Sequence, residues 1–264
     1  EKGDFPQDLE DQVQNSLHGI ENIMGQKFGD VDNPLLVSVR SGARQSMPGM
    51  METVLNVGLT SKTIPGLIHK SSDERFAYDA YRRLITMYAD VVMEKASGME
   101  IQEGKGIREK LDKIMESMKL REGVKMDSDL SAIHLKELCD QYKSMIKKTF
   151  NSEFPDDANT QLWGGITAVF KSWNGKRAIN YRNIENIPHK WGTAVNIQSM
   201  VFGNMGDECA TGVAFTRNPA TGENNFYGEW LPNAQGEDVV AGIRTPNPLN
   251  QIGKSSESRT LPSL

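Results

Sequence analysis

Three successive stretches in the middle of the chain, residues 74–94, 106–119 and 130–149, place apolar residues at helical spacing within dense charge. In the second stretch Ile107, Leu111, Ile114 and Met118 share one face; in the third Leu135, Leu138, Tyr142, Met145 and Ile146 do. Residues spaced this way line one side of a helix, so each stretch buries a stripe and leaves its charges in water. With them, residues 60 to about 158 form an expected helical insertion, ended by Pro155-Asp156-Asp157. The flanks differ. Residues 8–24 carry Leu9, Val13, Leu17, Ile20 and Met24 at helical spacing, and Leu35 to Val39 reads as a short buried strand before a turn-rich stretch to Met51. A helix is expected over about 159–173, and from Thr193 the pattern turns β-like, with Val, Ile, Phe and Tyr punctuated by Gly, Asn and Pro. The fold class that follows is α+β.

At 264 residues the chain can bury a sizeable core. A net charge of −5 argues against a dedicated nucleic-acid binder. No apolar run approaches the roughly 20 residues needed to cross a bilayer, so no membrane association is expected. Cys139 and Cys209 are too few for a disulfide framework and read as reduced thiols of a cytoplasmic protein. The start at Glu1, without methionine or signal peptide, reads as the start of a piece cut from a longer protein.

Four segments could carry chemistry. In residues 35–56, LLVSVRSGARQSMPGMMETVLN, a buried strand that ends near Arg40 would deliver Arg40, Arg44 and a glycine turn to a sheet edge. Fixed cations and backbone N–H groups suit phosphates there, and the arginine fork pairs bidentately with their oxygens. A salt-bridged arginine at a strand end explains Arg40 equally well. In residues 192–204, GTAVNIQSMVFGN, a strand ending at Phe202-Gly203-Asn204 is either an ordinary core strand or a hinge whose backbone meets an adenine edge. In residues 210–230, two strand-like runs, Gly212–Thr216 and Asn225–Leu231, flank the turn-type sequence RNPATGE. That is either a plain hairpin or one whose Thr211-Gly212 backbone closes over phosphates. Residues 233–246 carry Glu237, Asp238 and Arg244, carboxylates that either approach Mg²⁺ or sit in a solvated loop. A P-loop is excluded, because G-x-x-x-x-G-K-[ST] does not occur. The four histidines form no H-x-x-x-H pair, and Met47, Met50 and Met51 read as core packing.

Together SVRSGARQSMPGMMETVLN, RFAYDAYRRLITMYADVVM (75–93), WGTAVNIQSMVFGN and TGVAFTRNPATGE closely resemble the pyruvate, phosphate dikinase family, in the family's order, from about residue 28 to 248. Phosphoenolpyruvate synthase and glucan, water dikinase share the module, but the SMPGMM and FTRNPATGE wording is nearest to the pyruvate, phosphate dikinases. Ala96 to Gly106 has no match and reads as an insertion. The resemblance implies an ATP-grasp fold: residues 1–59 and 159–202 in the first lobe, 60–158 the helical insertion, 203–264 in the second lobe. It implies that Arg40 and Arg83 are catalytic and contact phosphates, with Gly49, Thr211 and Gly212 lining the same region. The adenine hinge falls at Gln198 to Val201, through Met200.

The cofactors so implied are ATP and Mg²⁺, with no metal ligand in this chain. The family's lysine-bearing glycine-rich segment is expected before Glu1, and the acidic Mg²⁺ ligands after Leu264. The reaction implied is transfer of phosphoryl from ATP, with inorganic phosphate as second acceptor, to a histidine on a swivelling domain of a homo-oligomeric enzyme that makes phosphoenolpyruvate from pyruvate. This piece alone is expected to be inactive. The matching module of phosphoenolpyruvate synthase or another dikinase, and a non-catalytic nucleotide-binding domain, are the alternatives.

Overall fold

The computed structural model describes residues 5–99, 102, 104–240, 245–251 and 254. It divides into two compact units, residues 1–200 and 201–264.

The first unit begins with helix α1 (Leu9–Met24), which stops where Gly25 turns left-handed and its N–H bonds Glu21 O. Of the apolar stripe expected on α1, Leu17 is fully buried while Met24 is exposed. Two short parallel strands follow, β1 (Lys27–Phe28) and β2 (Pro34–Leu35). A second sheet contains β3 (Val37–Ala43) between β4 (Thr53–Val57) and β5 (Thr193–Ser199), antiparallel to both.

Strand β3 runs further than its sequence suggests. Arg40 stands mid-strand, and Gly42 does not turn the chain but pairs with Ala194 on β5. A Cβ on Gly42 would lie 2.8 Å from Asn196 Nδ2, so glycine is kept here for close cross-strand approach. Strand β4 was hidden by the turn-rich sequence before it. Its Asn56, at φ 60, bends the chain away.

Helices then take over: α2 (Ile64–Ser71), α3 (Glu74–Tyr88), α4 (Ile107–Glu122) and α5 (Ala132–Phe150). Asp73 caps α3 by accepting the N–H of Phe76, and Ser131 caps α5 through His134. Between α3 and α4 the chain widens into a π-helical turn, Ala89–Glu94. Glu94 at its end accepts the Ile107 N–H at 2.6 Å and so starts α4. Helix α3 is buried on much of its surface, including Ala77, Ala80, Leu84 and Ile85, because it packs on both α5 and β4.

Helix α6 (Ala158–Ser172) lies against β3, with Gly165 beside Val39. Tyr88 crosses Gly164 so closely that a Cβ there would overlap its hydroxyl. Gln161, fully buried, accepts from Gly58 N and donates to the Leu59 and Pro155 carbonyls at 3.0, 2.8 and 2.9 Å. Every polar atom of that side chain is thus used, which removes the cost of burying it. Helix α7 (Lys176–Ile184), not foreseen from sequence, completes the unit. It joins Trp173, Ile187 and Met47 in a small core against which Met50 and Met51 pack, so these methionines are packing residues.

In the second unit β6 (Ala210–Phe215), β7 (Tyr227–Pro232) and β8 (Asn247–Pro248) form an antiparallel sheet with β7 in the middle. The hairpin is therefore real, in register from Ala210↔Pro232 to Phe215↔Tyr227. A five-residue helix, α8 (Gly236–Val240), follows β7. Gly203 packs onto the start of β6, where a Cβ would run into the Thr211 hydroxyl.

Candidate functional site

Alternation along β3 and β5 sorts their side chains onto two faces. Val37 and Val39 are fully buried, Val39 against α6. Arg40 is on the other face, directly across from Thr53 on β4 and Asn196 on β5. Ser38 pairs with Gln198 and Gly42 with Ala194, so Ser38, Arg40, Thr53, Asn196 and Gln198 form one polar patch. Ala194, Asn196 and Gln198 are all exposed. Arg40 donates from Nε to Ser38 Oγ at 3.2 Å and makes no ion pair among the described residues. A guanidinium held by a neutral hydroxyl keeps its full charge available to an anion. The salt-bridged alternative for Arg40 therefore has no carboxylate to rest on among the described residues. Ser38, Thr53 and Asn196 were not singled out beforehand, although the polar parity of VSVRSG and AVNIQS signals Ser38 and Asn196; Thr53 joins them only through the pairing of β4 with β3.

Arg44, expected as a second phosphate guanidinium, stacks on Trp191 with its Cζ 5.2 Å from the ring centroid. Gly49 occupies a turn at φ 71, next to the Met50 N–H that bonds Met47 O. Through Met47 the turn is anchored to the α6–α7 core.

Arg83 has a different environment. On α3 it donates from Nε to Asp79 Oδ2 at 2.9 Å, while Arg82 donates to Asp79 Oδ1 at 2.6 and 3.0 Å. Arg82 also lies 3.9 Å from Asp127, which pairs with Lys119 at 3.2 Å. The cluster ties α3 to α4 and the connection ahead of α5. Burial pushes the Asp79 carboxyl up, but the Arg82 and Arg83 charges and hydrogen bonds outweigh it and bring its pKa down to about 2.

The residues expected at the adenine hinge fall where the first unit ends. Gln198 is the penultimate residue of β5, and Met200 N bonds Leu36 O at 2.8 Å. Val201 opens the second unit and is 86% exposed.

Within the second unit Thr211 and Gly212 sit on β6, an edge strand, which leaves alternate backbone groups of the strand unpaired by β7. The Thr211 hydroxyl itself donates to Ala234 O at 2.7 Å, so any contact with a ligand falls to the backbone. The RNPATGE connection is shaped by Asn218, whose Oδ1 accepts from the Ala220 and Thr221 N–H groups. Of the acidic loop, Asp238 caps α8 by accepting the Gln235 N–H at 2.8 Å. The Glu237 side chain and residues 241–244, including Arg244, lie outside the described residues. Among the described residues no three His, Cys, Asp or Glu converge on a metal position. No described helix is long and apolar enough to cross a membrane.

Residues 1–259 match the family model described as pyruvate phosphate dikinase, AMP/ATP-binding domain. The chain is 52% identical over 247 residues to pyruvate, phosphate dikinase of Clostridium symbiosum, covering 93% of this chain and 27% of that protein. It is 50% identical over 265 residues to the Rhizobium meliloti enzyme, covering 100% and 28%. It is 53% identical over 249 residues to the Arabidopsis thaliana protein named pyruvate, phosphate dikinase 1, chloroplastic, covering 94% and 24%. The chain thus spans about a quarter of the length of these relatives. It belongs to the pyruvate phosphate dikinase AMP/ATP-binding domain family.

Proposed function

We propose that this chain, as a member of that family, is the nucleotide-binding part of a pyruvate, phosphate dikinase, and that it holds ATP in an ATP-grasp arrangement. The observation that carries the reading is Arg40. It stands at the centre of an open polar sheet face, tethered by Ser38 and flanked by Asn196 and Thr53, with no carboxylate paired to it among the described residues.

In this reading Arg40 takes phosphate oxygens, and Gln198, Met200 and Val201 present the adenine hinge. Support for the hinge comes from its position, where the chain passes from one compact unit to the next. Backbone groups of Thr211 and Gly212, on the open edge of β6, are assigned to the phosphates, as are Gly49 and Arg83 by their motif positions. Mg²⁺ would be held by the nucleotide's own phosphates and offset their charge. The phosphoryl group passes to a histidine on another domain of the complete enzyme, with inorganic phosphate as second acceptor. Identity of about half to proteins named pyruvate, phosphate dikinase favours phosphate over water in that role. The free thiols of Cys139 and Cys209 fit a reducing compartment such as the cytoplasm.

Arg40 would act by charge-assisted hydrogen bonds that strengthen as charge shifts across the phosphates. In the complete enzyme Arg40→Ala should slow the ATP-dependent half-reaction by about 10²–10³. Arg40→Lys should recover little of this, since lysine lacks the fork. Exchange between pyruvate and phosphoenolpyruvate should stay near the wild-type rate. An ATP half-reaction that survives Arg40→Ala unchanged removes Arg40 from the site, and equal loss in both half-reactions makes it a structural residue.

A further inference from the structure

Arg182 of α7 is only 2% exposed, yet no carboxylate pairs with it among the described residues. Neutral groups meet its charge instead. Nη1 donates to Trp173 O, Nε donates to His189 Nδ1 at 3.0 Å, and Cζ lies 4.0 Å from the centroid of the Trp173 ring. Because Nδ1 accepts, the imidazole carries its proton on Nε2, which donates to Asn183 Oδ1 at 2.9 Å. The His189 carbonyl in turn accepts Trp173 Nε1 at 3.2 Å. His189 is thus held both at its ring and at its backbone.

This clasp fixes the 3₁₀ turn His189–Trp191, which leads through Gly192 into β5. The turn closes where Trp191 N bonds Pro188 O at 3.1 Å. Unlike Trp173, Trp191 is not part of the small core with Ile187 and Met47. Its ring is 40% exposed and faces the Arg44 guanidinium. Arg44 is exposed too, and the stack on Trp191 is its one side-chain interaction among the described residues. Ala43 packs on the Trp173 core, so the alternation of β3 persists to its end and leaves Arg44 on the side of Arg40. Stacking engages the face of a guanidinium. Its N–H groups lie in the plane and stay free for an anion.

We propose that Trp191 is a positioning residue for the nucleotide: it holds Arg44 against its ring so that the guanidinium edge meets the phosphates of ATP on the β3 face. This rests on the reading of that face given above. A free arginine loses rotamer freedom when it takes a phosphate, whereas one already stacked has lost part of it beforehand. The stack can do this only if the indole itself stays put. Arg182 and His189 supply that rigidity from behind, at the other end of the same turn.

The test uses the complete enzyme and its ATP-dependent half-reaction. Arg44→Ala should lower kcat/KM for ATP about tenfold or more, the loss of one charge-assisted contact. Trp191→Ala should raise KM for ATP about two- to fivefold with kcat unchanged, the size of a cation–π contact at an exposed site. Trp191→Phe keeps a ring face and should restore most of that loss. In the Arg44→Ala background Trp191→Ala should have no further effect. Exchange between pyruvate and phosphoenolpyruvate should stay near the wild-type rate in every variant. Without nucleotide, Arg44→Ala should alter the part of the tryptophan emission that Trp191→Phe removes. The proposal is overturned if Trp191→Ala multiplies the loss already caused by Arg44→Ala, or slows both half-reactions alike. It is equally overturned if Arg44→Ala leaves kcat/KM for ATP unchanged. That result beside an impaired Arg40→Ala enzyme sinks the positioning role alone, whereas an unimpaired Arg40→Ala enzyme sinks the reading of the face.

Discussion

Arg40 and Arg83, both assigned to phosphates by their motifs, occupy opposite kinds of environment in the same unit. Arg40 rises from the middle of a sheet face and holds one neutral hydroxyl. Arg83 lies along α3, fixed to an aspartate that is 8% exposed and also holds Arg82. The difference shows what each position costs to maintain. A guanidinium with no counter-charge on an exposed face contributes little to folding and keeps its field for a ligand. One in a buried cluster also has a structural task, because each charge there has given up water and needs its partners.

The contrast can be broken most directly at Asp79. Asp79→Ala leaves Arg82 and Arg83 facing each other without their shared carboxylate, and should destabilise the protein by about 3–5 kcal/mol. Denaturant unfolding measures this, and a loss below about 1 kcal/mol would mean that the cluster contributes as little to folding as Arg40 does.

Acid should reach the same cluster. Asp79 ionises with a pKa of about 2 in the folded protein against an ordinary value of 3.8, so the stability it lends is complete above that ordinary value. As pH falls from about 4 towards 2, this contribution, about 2 kcal/mol, should disappear. Comparing acid unfolding of the protein with that of Asp79→Asn checks it: the variant should show a shallower loss over that window, and parallel curves would contradict the assignment.

The smallest effects are expected at the arginines themselves. Arg83→Ala leaves Asp79 with Arg82 and should cost on the order of 1 kcal/mol, discounted for the 21% exposure of the Arg83 side chain. Arg40→Ala should stay within about 0.5 kcal/mol of the original while removing the phosphate contact. A larger thermal penalty at Arg40 than at Arg83, read by differential scanning calorimetry, would reverse the comparison.

The sequence by itself determined the elements whose burial is local and periodic. The stripe Leu135, Leu138, Tyr142, Ile146 had to make a helix, and it is buried as α5. The alternation of AVNIQS had to make a strand, and it did as β5. The four family motifs, in order, determined the family. What only the tertiary structure decided is which distant pieces meet. Ser38 bonds the carbonyl of Gln198, 160 residues along the chain, and that pairing carries β3 past Gly42 and sets Arg40 mid-strand instead of at a strand end. Glu52 likewise pairs with Lys95 and Arg177, which reach it from two other segments of the chain. Local periodicity reports which side of an element is buried, but not against what. Partner choice is settled by the closing of long loops and the close packing of whole faces, and these are properties of the folded chain.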